Sequence, residues 1–136
     1  MMEWAVKAQQ DNKPDLQLLG VTVLTSMDDD ALAGIGVNRS TAEQVIALTA
    51  LANEAGMSGL VCSPHEAASV KAAHGDQFQL VTPGIRPTAT NAGDQKRIMT
   101  PQLAADQGAD YIVVGRPIYQ ASNPAAVVAA IRSDLG

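Results

Sequence analysis

The sequence predicts an α/β protein built from parallel β/α units, in which each strand is followed by a helix. Four short apolar runs recur along the 136 residues, and a stretch with helical spacing follows each run. The runs are rich in Val, Leu and Ile and lack the polar alternation of a half-exposed strand, so we expect strands buried on both faces. Successive units of this kind are joined by right-handed crossovers and form a parallel sheet. Aromatic residues make up only 3% of the chain, so aliphatic side chains must fill its interior.

Local signals place four strands and about five helices. The predicted strands are residues 16–24, 59–62, 78–82 and 111–115. The predicted helices are residues 2–10, residues 41–55, two that begin after Ser63 and Thr100, and residues 125–135. Ser63, Thr100 and Asn123 each precede a proline, which is the order of an N-cap and a first helical residue. Glu66, three residues after Ser63, adds the pattern of a capping box.

Two architectures fit this order of elements. One is a small, open, doubly wound sheet, and the other is part of a (β/α)₈ barrel, whose full length is typically about 250 residues. No linker, low-complexity tract or internal repeat divides the chain. We therefore expect residues 1–136 to form a single domain, which is partial if the barrel is correct.

Charge and cysteine content exclude several classes of protein. The net charge of −5 and the absence of a basic stripe argue against nucleic acid or an anionic membrane as partner. No apolar run approaches the roughly 20 residues that a membrane span needs, and the first residues lack a signal-peptide pattern. The single cysteine, Cys62, excludes an internal disulfide and fits a reducing cytoplasm.

The strongest functional signal lies in the loops after the third and fourth strands. Ligands bind at the carboxyl ends of strands in both architectures, and arginine offers donors that match a phosphate. Arg86 follows the third strand and Gln95 lies further along the same loop, whereas Gly115 and Arg116 follow the fourth strand. These residues predict a phosphate site. The alternative is that the arginines are solvated and that Gly115 only shapes a turn.

Other polar and reactive residues favour structural roles. We expect Asp28 to Asp30 to be a solvated loop, because three consecutive acids rarely converge on a metal, and no HxH or CxxC spacing occurs. His65 and His74 are predicted at the surface, and Cys62 and Trp4 in packing. No strand end supplies a lysine beside a carboxylate, so the sequence identifies no proton donor for catalysis.

Five motifs in order resemble the C-terminal half of bacterial orotidine 5′-phosphate decarboxylases. They are VTVLTSM, GLVCSPHEA, LVTPGIRP, AGDQKRIMTP and YIVVGRPI, and together they span essentially the whole chain. The resemblance implies the C-terminal half of a (β/α)₈ TIM barrel in a homodimer that needs no metal or cofactor. It also implies a lyase of pyrimidine biosynthesis, which removes CO₂ from orotidine 5′-monophosphate (OMP) to give UMP.

The resemblance assigns roles to particular residues. Arg86, Gln95, Gly115 and Arg116 match positions that hold the phosphate of the nucleotide, and Thr25 matches a position near its base. The catalytic Lys and Asp residues of the family stand in a D-x-K-x-x-D motif on the N-terminal strands, and this sequence contains no such motif. The opening Met1-Met2 resembles an internal pair that follows the fourth strand of the family.

These correspondences lead to two expectations about the chain. In the first, it retains the phosphate-binding half of a decarboxylase and lacks activity alone. In the second, it is a non-catalytic nucleotide-binding half-barrel that assembles with another half. In either case, exposed strand faces and open sheet edges predict self-association.

Overall fold

A computed structural model describes residues 1–87 and 96–136, and it contains one four-stranded parallel sheet. The strands are β1 Leu19–Val21, β2 Gly59–Val61, β3 Gln79–Thr82 and β4 Tyr111–Ile112. Each predicted strand is present, although the first is three residues long where the apolar run spans nine. The run is longer than the strand because residues 16–18 and 22–24 lie in the loops on either side of it.

The strand order distinguishes between the two predicted architectures. The strands follow one another as β1-β2-β3-β4, and every neighbouring pair is parallel. A doubly wound sheet reverses its strand order at a switch point, whereas a barrel proceeds in one direction. The sheet is therefore a segment of a (β/α)₈ barrel, as the second alternative predicted.

Helices precede the first strand and follow each of the four strands. They are α1 Met2–Asn12, α2 Asp29–Gly34, α3 Thr41–Glu54, α4 Pro64–His74, α5 Pro101–Asp106, α6 Arg116–Tyr119 and α7 Pro124–Leu135. The five predicted helices correspond to α1, α3, α4, α5 and α7. The short helices α2 and α6 were not predicted, because neither is long enough to show an apolar period.

The N-caps explain where the helices begin. Ser63, Thr100 and Asn123 all accept a backbone N–H with their side chains, as the cap-plus-proline pattern predicts. The predicted capping box at Ser63 is wrong, because the Glu66 carboxylate bonds to Arg97 instead. A complete capping box forms at the start of α3, where Ser40 and Glu43 each accept the backbone N–H of the other.

The hydrophobic core lies between the helices and one face of the sheet. Leu60 and Leu80 are partners in register on β2 and β3, and both are fully buried. The core residues that surround them are Val6, Val23, Leu32, Val45, Ala52, Met57, Cys62, Ala67, Val70 and Phe78. These residues come from α1, α2, α3, α4 and the segments that flank the strands, so one layer of helices covers this face.

The opposite face of the sheet is open, which corrects the expectation of strands buried on both faces. Val21 is 60% exposed, Tyr111 55% and Val113 49%. Residues alternate between the two faces of a strand, so the side chains that would point into a closed barrel are uncovered here. We call this surface the open sheet face, and it comprises Leu19, Val21, Val61, Val81, Tyr111 and Val113.

Two further features concern the surface. Trp4 is 80% exposed on α1, so the prediction that it packs inside is wrong. Trp4 lies two residues before the buried Val6, which is about half a helical turn, so the two side chains point to opposite sides of α1. The sequence alone does not show which of these sides meets the sheet. Across residues 1–87 and 96–136, no helix is long and apolar enough to cross a membrane.

Candidate functional site

The loops after β1 and β3 meet at the carboxyl edge of the sheet. The Thr25 carbonyl oxygen accepts the backbone N–H groups of Lys96 and Arg97 at 3.1 and 3.3 Å. Thr25 itself is buried, with 4% of its surface exposed. Thr25, which is predicted to contact the nucleotide near its base, is thereby joined to the loop that carries Arg86 and Gln95, two of the predicted phosphate contacts.

A short parallel bridge continues β3 beyond its last residue. Ile85 pairs with Met99, the Arg86 N–H donates to the Met99 carbonyl at 2.9 Å, and the Met99 N–H donates to the Gly84 carbonyl at 3.2 Å. Gly84 has φ +82°, which favours glycine. A Cβ at this position would lie 2.8 Å from the Arg97 carbonyl oxygen. Glycine is therefore required here both by its backbone conformation and by the close approach of residue 97.

The predicted phosphate contacts differ in exposure. The Arg86 side chain is buried, with 7% of the residue exposed, and its Nη1 donates to the Ile85 carbonyl at 2.8 Å. Gly115 is exposed at the N-cap of α6, and Arg116 is half-buried at the first position of that helix. Because Val113 donates its N–H to Thr82, these two residues follow β4 at the same edge as Arg86. Gln95 lies outside the described residues.

An ion pair at this edge corrects one expectation from the sequence. Lys96 Nζ lies 2.6 Å from Asp28 Oδ2, so a lysine and a carboxylate do come together after the strands. Asp28 also accepts the Ala31 N–H and caps α2, and the hydrogen bond from Lys96 is the main cause that lowers the pKa of Asp28. The pair was missed because 68 residues separate its members in sequence. Both side chains are engaged with each other, and the pair ties the two loops together.

A second ion pair lies deeper, beneath the loops. Arg97 Nη1 donates to Glu66 Oε1, and Arg97 Nη2 donates to the carbonyls of Val23 and Leu24 at 3.2 Å each. The side chains of Arg97 and Glu66 are 12% and 6% exposed. Burial raises the pKa of Glu66, and the guanidinium of Arg97 opposes that rise. No sequence signal identified this pair, because Glu66 fitted a capping box and Arg97 fitted a polar loop.

The cysteine, the two histidines and the aspartate run that the sequence analysis assigned structural roles have the following environments. Cys62 is buried in the core as predicted, and burial raises the pKa of its thiol to about 12, which keeps it protonated. His65 is exposed, with Nε2 3.2 Å from the Ile98 carbonyl, whereas His74 packs edge-on against Phe78. The Asp28–Asp30 run is not simply solvated, because Asp29 accepts the Thr41 N–H at 2.7 Å.

Residues 1–87 and 96–136 contain no group of three or more His, Cys, Asp or Glu side chains that could hold a metal ion.

Two surface grooves are lined mainly by helix residues. One, of about 650 Å³, runs between the first turns of α3 and α4 and includes Arg39, Ile46 and His65. The other, of about 540 Å³, lies along α7 beside Val128 and Arg132. Neither groove is lined by Thr25, Arg86, Gly115 or Arg116, although Glu66, the partner of Arg97, lines the first of them.

The strand order and the single helical layer define a segment of a (β/α)₈ barrel, with its loops gathered at the carboxyl edge where barrel enzymes bind ligands. A comparison with protein families specifies this class further. The profile of the "Orotidine 5′-phosphate decarboxylase / HUMPS family" matches residues 1–131. The chain belongs to this family.

Individual relatives agree with the family assignment. The chain is 56% identical over 125 residues to an orotidine 5′-phosphate decarboxylase of Pseudomonas paraeruginosa, covering 92% of this chain and 53% of that protein. A second relative with this description, from Pseudoalteromonas translucida, is 57% identical over 118 residues, which cover 87% of this chain and 50% of its own length. The chain thus spans about half the length of the curated relatives it matches.

Solved structures support the barrel assignment. The structure of orotidine 5′-phosphate decarboxylase from Lactobacillus acidophilus superimposes with a TM-score of 0.80 at 37% identity, covering 100% of this chain and 58% of that one. The orotidine 5′-monophosphate decarboxylase from Sulfolobus solfataricus gives a TM-score of 0.64 at 18% identity and covers 98% of this chain and 52% of that one. The second likeness concerns the fold alone, and both show this chain as about half of a TIM barrel.

Proposed function

We propose that the chain carries the phosphate-binding part of an orotidine 5′-phosphate decarboxylase site and that it binds a nucleotide monophosphate such as OMP or UMP. The junction of the Thr25 loop with the Gly84–Arg86 segment, made through Lys96 and Arg97, is the observation that carries this proposal. Arg86, Gln95, Gly115 and Arg116 are the proposed phosphate contacts, and Thr25 is the proposed contact near the base. A site of this kind binds its ligand through charge-assisted hydrogen bonds to the phosphate.

Four of the five proposed contacts hold the phosphate of the nucleotide, which lies far from the reacting carbon of the base. Binding energy from a remote phosphate can orient the base and close loops over it, which lowers the barrier at the reaction centre. The sequence contains no D-x-K-x-x-D motif, so we propose that residues outside these 136 supply the catalytic Lys and Asp groups. The chain alone is then a single partial barrel domain, and we expect it to release no CO₂ from OMP above the rate in buffer.

Two single arginine replacements, one at the proposed site and one away from it, test the proposal. Arg116→Gln removes a proposed phosphate contact, whereas Arg132→Gln removes an exposed arginine of α7 and serves as the control. A hydrogen bond to a charged group contributes about 1.5–3 kcal/mol, so Arg116→Gln should weaken UMP binding roughly 10- to 150-fold. Isothermal titration calorimetry measures both variants. Equal UMP affinity in the two would rule out Arg116 as a phosphate contact.

A second candidate function is a non-catalytic nucleotide-binding half-barrel that assembles with another half. The open sheet face favours it, since Val21, Tyr111 and Val113 are each about half exposed on one apolar surface. The outer strands β1 and β4 each have one neighbour in the described sheet, so each presents backbone groups along its other side. We propose that the isolated chain self-associates through this surface, as a homodimer in the simplest case.

Sedimentation velocity over a range of protein concentrations tests this association. The sedimentation coefficient should rise with concentration if the open sheet face is the contact, because a larger fraction of the chain is then associated. A coefficient that stays at the monomer value across the range would count against the second candidate. We also propose that the chain is cytoplasmic, since its one cysteine is free and the family acts in pyrimidine biosynthesis.

A further inference from the structure

We propose that Arg97, paired with Glu66, is a positioning residue for the nucleotide site, which fixes the end of β1 against the loop that follows β3. The inference rests on the proposed function, because the residues it would position, Thr25 and Arg86, are proposed ligand contacts. It goes beyond that function by assigning a role to a buried arginine that is not itself a proposed contact.

The Arg97 side chain joins three separate segments of the chain. Its guanidinium donates to the carbonyls of Val23 and Leu24 after β1 and to the Glu66 carboxylate in the first turn of α4. The third segment is its own, since Arg97 belongs to the loop between β3 and α5. The planar fork of donors of an arginine can serve several acceptors at once, which a lysine cannot do in the same geometry.

The backbone around Arg97 extends this connection to both proposed ligand contacts. Thr25 directly follows Leu24, and its carbonyl accepts the N–H groups of Lys96 and Arg97. Two residues further on, the Met99 carbonyl accepts the Arg86 N–H at 2.9 Å. Loss of the Arg97 side chain should therefore disturb the position of Thr25 relative to Arg86.

Arg97 does not serve as an anion ligand in this arrangement. Its Nη1 and Nη2 atoms already donate to a carboxylate and to two carbonyls, and the Glu66 carboxylate offsets its charge. An approaching phosphate would have to displace Glu66, which would leave its buried carboxylate without a partner.

The pair is also poorly suited to a purely stabilising role. Among the described residues, Glu66 Oε2 and Arg97 Nε are buried without a hydrogen-bond partner. A buried ion pair with unsatisfied atoms is often matched in stability by apolar residues of similar volume. What apolar residues cannot reproduce is the set of directed bonds to three segments, so the pair acts through orientation.

The experiment compares the chain with the double variant Glu66→Leu/Arg97→Met, which removes both buried charges together. Urea unfolding measures the stability of the variant, and calorimetry measures its affinity for UMP. Amide hydrogen exchange followed by NMR measures how well the hydrogen bonds of the loop protect its amides. The Lys96 and Arg97 amides bond across the loops to Thr25, and the Met99 amide bonds to Gly84 within the loop after β3. The Gln79 and Asp110 amides bond at the amino ends of β3 and β4 and serve as the internal control. Arg97→Lys, which keeps the charge and avoids an unpaired Glu66, is the second variant if the double variant does not fold.

We expect the cross-loop amides of Lys96 and Arg97, and the amide of Met99, to exchange at least about tenfold faster in the variant while the Gln79 and Asp110 amides keep their protection. UMP affinity should fall at least about tenfold even where the unfolding midpoint is unchanged, and Arg97→Lys should recover only part of it. Unchanged exchange of the cross-loop amides would overturn the proposal. So would a folded double variant that binds UMP as the original chain does. If the original chain binds no UMP, the proposed function fails, and the exchange result alone then decides the role of Arg97.

Discussion

Replacement of Gly84 by alanine tests whether the two loops are joined as closely as the structure indicates. Gly84 has φ +82°, and an added Cβ would lie 2.8 Å from the Arg97 carbonyl oxygen and 3.4 Å from the Thr25 side chain. The left-handed conformation costs a residue with a Cβ about 1–2 kcal/mol. The close contact involves a backbone oxygen, which has no rotamer to change, so overpacking should add about 1–3 kcal/mol.

Gly36→Ala is the matched control for this substitution. Gly36 has φ +86°, almost the same as Gly84, but a Cβ there would meet no atom within 4 Å. Both substitutions reduce the conformational freedom of the unfolded chain equally, so that contribution cancels between them. The difference between the free energies of unfolding of the two variants therefore measures the effect of the contact between residues 84 and 97.

Urea unfolding followed by circular dichroism supplies the two free energies. We expect Gly84→Ala to lose about 1–3 kcal/mol more than Gly36→Ala, and to lose UMP affinity as well, because the shift separates Thr25 from the Arg86 segment. Equal losses in the two variants would refute the reasoning, since they would mean that Arg97 does not approach Gly84.

Two further predictions concern the core and the open sheet face. Burial raises the pKa of Cys62 from 9.0 to about 12, so the folded state favours the neutral thiol. The contribution of this thiol to the free energy of unfolding is therefore retained below about pH 9 and lost above it, by up to about 4 kcal/mol by about pH 12. Cys62→Ala should show a shallower alkaline decline in urea unfolding, and identical slopes would contradict the buried thiol. Val21→Lys should weaken self-association as measured by sedimentation velocity, because it places a charge on the open sheet face. Leu51→Lys, at a similarly exposed position on α3, is the control and should leave self-association unchanged. An equal effect of both substitutions would exclude the open sheet face as the contact.

The local signals in the sequence were sufficient for most of the fold. Prolines after Ser63, Thr100 and Asn123 placed three helix starts, because a cap and a fixed φ are properties of adjacent residues. The open sheet face was harder to anticipate for individual residues. A run such as residues 16–24 is apolar throughout, so it does not reveal which of its side chains meet helices and which would line a barrel.

The candidate site was predicted less completely than the fold. Arg86, Gly115 and Arg116 follow strands, so their location at the carboxyl edge could be inferred from topology alone. The pairs formed by Lys96 with Asp28 and by Arg97 with Glu66 could not, because each joins residues more than 30 positions apart. Only the folded register of the sheet brings those loops together, and these pairs hold the proposed contacts in place.

The most direct test of the central claim is a calorimetric titration of the chain with UMP and, separately, with uridine. The two ligands differ only in the phosphate, so the comparison measures the proposed phosphate contacts and no other part of the nucleotide. We predict that UMP binds and that uridine binds at least about tenfold more weakly, since each charge-assisted hydrogen bond to the phosphate adds about 1.5–3 kcal/mol. Equal affinity for both ligands, or binding of neither, would contradict the claim that this half-barrel carries a formed phosphate site.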